Sequence, residues 1–160
     1  MNKSRLIRVL QQSIPTTFRL FLAANFLIYG VVKLTFGQFG VPTEEIASMR
    51  GEGFTLAWTF FGYSRFYEIF IGLGEVISAI LIAIPRTATL GAICYFPIAV
   101  NVMMVNYAFN IGVQDLSTVL TIMCLILLWL DRKKLRLIFV KSHEFNEATD
   151  GNKTERVKAL

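Results

Sequence analysis

The chain has 160 residues, 54% of them hydrophobic and only 17% charged, where an ordinary soluble domain carries about a quarter. Its charges fall in short polar stretches between long apolar runs, which excludes a soluble multidomain enzyme and leaves room for one membrane bundle. The net charge of +5 comes from basic residues beside those runs, so the lipid bilayer is the expected partner and nucleic acid is excluded.

Residues 1–14 open with MNKSRLIR, a basic amino terminus. Residues 15–36, PTTFRLFLAANFLIYGVVKLTF, are long enough to cross about 30 Å of hydrocarbon. This run is too long for a signal peptide, contains Arg19 and Lys33, and lacks a clean cleavage site after it, so it reads as a retained helix. The connection 37–65 begins polar and turns aromatic, with Phe54, Trp58, Phe60, Phe61 and Tyr63 suited to an interfacial anchor or an outer lid. The second span, 66–84, stops at the breaker Pro85. The third, 88–109, carries Pro97, which predicts a kink. The fourth, 113–130, ends in DRKKLR, with Trp129 at interface depth. Residues 15–140 thus form one transmembrane domain, and 141–160 form a polar tail.

The expected fold is all-α, an integral membrane four-helix bundle with short connections between its last three spans. Lys3, Arg5, Arg8, Arg86, Arg132, Lys133, Lys134, Arg136 and Lys141 fall on one side, against Arg50 and Arg65 on the other. The positive-inside rule then puts both termini in the cytoplasm.

The spans carry ionisable residues, which usually face a bundle interior because each costs about 2.5–3.5 kcal/mol at the bilayer centre. Glu68 and Glu75 are seven residues apart, two helical turns, and share a face. Arg19 and Lys33 share a face of the first span, with Ala23, Phe26 and Gly30 between them. Antiparallel pairing brings Lys33 level with Glu68, the expected structural ion pair. Glu75 lies near the midplane, where Arg19 can reach inward and Asn25 or Asn101 can hydrogen-bond. Glu75, Arg19 and Asn101 therefore form the candidate ligand or proton site, and Asp115 with Asn106 a candidate outer polar cluster. Gly72, Gly74 and Gly91 predict close helix approach. Cys94 and Cys124 lie in apolar runs without a C-x-x-C, so no metal site is expected. The single histidine, His143, is in the tail, so no haem ligand pair stands in the bundle.

The stretches FRLFLAANFLIYG, YGVVKL and FIGLGEVISAILIAIPR, followed by LGA, resemble the DoxX-like family of small bacterial four-helix membrane proteins. The matching positions are Arg19, Lys33, Glu75, Pro85 and Arg86, within a resemblance covering about residues 19–134. The resemblance implies a bacterial inner-membrane protein linked to thiosulfate:quinone oxidoreduction. With no cofactor motif of its own, it would be a non-catalytic subunit that meets a quinone headgroup and an oxidoreductase partner. Two alternatives stand beside this reading. One is a proton-coupled transporter component, for which four helices would require a homo-oligomer. The other is a structural or assembly protein whose charges only fix packing.

Overall fold

The computed structural model describes residues 3–136, with side chains from position 13 onward. Six helices follow in order: α1 Lys3–Thr35, α2 Glu44–Arg50, α3 Glu52–Gly62, α4 Arg65–Ala83, α5 Ala88–Ala108 and α6 Gln114–Leu130. No strand occurs among the described residues. The tail 141–160, with Lys141 and His143, lies outside them, as do the side chains of Lys3, Arg5 and Arg8.

Three helical stretches, Ser13–Thr35, Arg65–Ala83 and Ala88–Ala108, are long and apolar enough to cross a membrane. The apolar α6 has 17 residues, about 26 Å at 1.5 Å each, and is the short one. The outward faces are apolar too. On α4 the exposed side chains Phe66, Phe70, Leu73, Ile77 and Ile80 recur every three or four residues, and Ile84, just past its end, continues the row. That is a continuous helix stripe far larger than a water-soluble surface carries.

The long helices close a ring in which α1 packs on α4, α4 on α5, α5 on α6 and α6 on α1. Phe26 of α1, Ile82 of α4, Tyr95 of α5 and Cys124 of α6 meet in its apolar core. Two glycine contacts set how close the helices come. A Cβ on Gly72 would lie 3.0 Å from both the Gly30 carbonyl oxygen and the Lys33 Cβ, so α1 and α4 cross backbone to backbone. At Gly91 it would lie 2.5 Å from the Ile82 nitrogen, which tightens α5 onto α4. Gly74 is different, with only Ile98 at 3.5 Å. It does not mark a close approach, because it sits two residues round the helix from Gly72 and faces away from α1.

Two further features depart from the sequence reading. α1 begins well before Pro15, which therefore lies inside the helix rather than at its start. A proline there leaves one carbonyl without its helical donor, a loss that one turn of a long helix absorbs. The connection 37–65 is not an irregular loop. Thr43 caps α2 by accepting from the Ile46 N–H, and Gly51, at φ +87°, breaks α2 from α3. α3 then buries Phe54 and Ala57 against Ile111 in the α5–α6 connection, with Trp58 and Phe109 packed beside them.

Candidate functional site

Lys33 and Glu75 meet between α1 and α4. The Lys33 ammonium donates to both carboxylate oxygens of Glu75, at 3.0 and 2.8 Å, and the two residues are 4% and 2% exposed. The ammonium also stands 5.5 Å from the Phe39 ring centroid and 5.8 Å from that of Tyr29, within reach of both ring quadrupoles.

This pairing corrects the expected Lys33–Glu68 pair. Helical side chains lean toward the amino end of their own helix. On antiparallel helices, Lys33 therefore leans into the bundle from the end of α1, while Glu75 leans back toward that end from the middle of α4. They meet between their Cα depths, and Gly72, one turn before Glu75, leaves the space for the lysine stem.

Glu68 is buried as well, but it serves the chain reversal after α1. Its carboxylate accepts from the backbone N–H groups of Gln38 and Phe39 and from Arg65 at 2.8 Å. Arg65 in turn donates to the carbonyls of Lys33, Leu34 and Thr35, the unsatisfied end of α1. Gly37, at φ +82°, makes the turn between them, its N–H returning to the Val32 carbonyl. Arg65 and Glu68 thereby fix Phe39 over the Lys33 ammonium. Phe39 also touches Trp58 edge-on and Phe61, which links α3 to the buried pair.

The remaining candidates do not join this site. Arg19 lies 3.7 Å from Asp131, just past α6, at the other end of the ring. Asn101 is exposed: the buried positions of α5 include Tyr95, Ala99 and Asn106, and two residues beyond Ala99 is the opposite face. Asn25 is half-buried and turns back to donate to the Phe21 carbonyl. Asp115 is exposed while Asn106 is buried and donates to the Val102 carbonyl, so they form no cluster. No group of three or more His, Cys, Asp or Glu side chains able to hold a metal occurs among the described residues.

Three contributors escaped sequence reasoning. Arg65 had a signal, its i, i+3 spacing to Glu68 at a helix start. Phe39 had none beyond its place in an aromatic-rich segment. The third is Tyr95, wholly buried with its ring 3.8 Å from that of Phe26 and its hydroxyl without a hydrogen-bond partner among the described residues.

Membrane-length apolar helices closed around a sealed charge pair define a small all-helical, membrane-associated protein. The chain belongs to the same family as the uncharacterized protein YwoB of Bacillus subtilis (strain 168). The two are 60% identical over 140 residues, which span 87% of this chain and 91% of that protein. No family model matches the chain, and no solved structure matches it.

Proposed function

We propose that all four long helices cross the bacterial cytoplasmic membrane as one bundle, termini inside, in a protein of DoxX-like type. In this reading it is an accessory, non-catalytic subunit of a quinone-linked redox system, and Lys33 with Glu75 receives the polar head of a quinone. The observation that carries the reading is the buried two-pronged Lys33–Glu75 contact under the Tyr29 and Phe39 rings. Desolvating two charges costs several kcal/mol per ion and is often not recovered, so such a pair is a poor way to gain stability alone. Inside a membrane it is a functional feature by default. The chemistry suits a quinone: the ammonium donates to a quinone carbonyl, the carboxylate accepts from a quinol hydroxyl, and the aromatic rings flank the headgroup. The electrons belong to the partner, because the chain offers binding, orientation and a proton-exchanging carboxylate.

The alternative is a pin that holds the register of α1 and α4, favoured by the Gly30–Gly72 contact beside the pair. Mass spectrometry of lipid extracts separates the two. Wild type should carry more quinone than a comparable membrane protein from the same cells. Glu75→Gln, and a Lys33→Met/Glu75→Met variant shown to remain folded, should lose it. Wild type without enriched quinone would leave the pinning role.

A further inference from the structure

The end of the bundle around Asp131 carries an excess of positive charge. Asp131 accepts from Thr89 of α5 at 2.8 Å and from Lys134 at 2.9 Å, with Arg19 of α1 at 3.7 Å. These contacts draw the start of α5 and the end of α6 together, so Arg86, three residues before Thr89, and Arg132, next to Asp131, come to the same end. Arg86, Arg132, Lys133 and Arg136 are all exposed, and none has a carboxylate partner among the described residues. At the opposite end Glu44, Glu45, Glu52 and Asp115 are exposed against Arg50 and Arg65, and Arg65 is already paired with Glu68.

The cations border an apolar band. Ile84, Leu90, Trp129 and Leu130 are each about half exposed or more. The Arg132 guanidinium lies 4.9 Å from the centre of the Trp129 ring, and Trp129 is 67% exposed. A guanidinium held over the indole is restrained by the ring, while its N–H groups can still make a two-pronged contact with phosphate. An indole at the edge of an apolar band belongs at headgroup depth. A nucleic-acid surface would instead stand clear of exposed aliphatic side chains.

We infer that Arg86, Arg132 and Lys133 beside Trp129 form a binding site for the phosphate of an anionic phospholipid headgroup. Arg132 makes the oriented contact, the other two supply charge, and the apolar band takes the acyl chains. This inference stands on the Asp131 end alone and is independent of the quinone reading.

The test uses the full chain, purified and delipidated in neutral detergent, with heat unfolding followed as lipid is added. Phosphatidylglycerol should raise the midpoint by about 3–6 °C, and phosphatidylcholine of the same chain length should not. Arg86→Gln/Arg132→Gln/Lys133→Gln should unfold at the wild-type midpoint without lipid and lose most of the shift. Arg132→Lys, which keeps the charge but not the planar fork, should lose part of it. A shift of equal size from phosphatidylcholine would overturn the inference. So would an equal shift from inorganic phosphate alone, which would mark a free-anion site, or a full shift surviving in the triple variant.

Discussion

Lys33–Glu75 and Arg19–Asp131 both tie α1 to another part of the bundle through opposite charges, yet they sit in different surroundings. The first has two short hydrogen bonds and side chains 5% and 3% exposed. The second is 3.7 Å long, with side chains 19% and 13% exposed, and Asp131 shares its charge with Lys134 and Thr89. Among the described residues neither partner of the sealed pair has another charge-bearing contact to fall back on, whereas Asp131 keeps two partners if Arg19 is lost. The loss of one residue should therefore be severe in the first case and mild in the second.

The largest effect is expected at the sealed pair. Lys33→Met leaves the Glu75 carboxylate buried without its cation and should destabilise the fold by about 3–5 kcal/mol, read by unfolding in detergent. Lys33→Met/Glu75→Met should recover most of that loss. A double variant as unstable as the single one would mean that the pair itself supports the fold. Next, Glu68→Ala should cost about 1.5–3 kcal/mol, because it strips acceptors from two backbone N–H groups and leaves Arg65 without its carboxylate. Gly72→Ala should cost about 1–3 kcal/mol by pushing α1 from α4. Gly74→Ala should stay within about 0.5 kcal/mol of wild type, since its Cβ finds only ordinary contact. Similar losses at the two glycines would remove the close α1–α4 approach from the account.

Among the charged contacts Asp131 should give the smallest change, under about 1 kcal/mol for Asp131→Asn at neutral pH, because its network is only partly buried and keeps further partners. Burial pushes its carboxyl up. Hydrogen bonds from Lys134 and Thr89, with the charges of Lys134 and Arg19, outweigh that and hold it below the usual carboxylate range. The stabilisation is therefore fully present above the unfolded value, about 3.9, and is lost as pH falls through the lower folded value. Melting temperatures of wild type and Asp131→Asn should differ at pH 6 and converge on acidification. A gap that persists at the lowest pH would assign it to packing instead of charge.

The long helices were legible because lipid contact and interior packing both require apolar side chains, so their segments stand out without knowledge of any neighbour. The two helices within 37–65 were not, because α2 and α3 depend on the Thr43 cap, the break at Gly51 and the burial of Phe54 against Ile111. The charged positions were partly legible: membrane cost drew attention to Lys33, Glu68, Glu75 and Arg19, but matching them by Cα depth gave the wrong partners. Asp131 was passed over as one acid in a basic closing stretch, since its partners Arg19 and Thr89 lie far away in sequence.

By itself, the sequence determined that this chain makes long apolar helices and that a few charges must be accommodated among them. Residue type and spacing suffice for that, because the membrane penalises each ionisable group whatever its neighbours. Only the tertiary structure decided which charge meets which. That outcome depends on the lean of side chains toward helix amino ends, the glycine crossing that brings α1 onto α4, and the turn at Gly37 that gives Glu68 to the backbone. The lean is a property of every helix, but the crossing and the turn are relations between segments tens of residues apart, and no local pattern carries them.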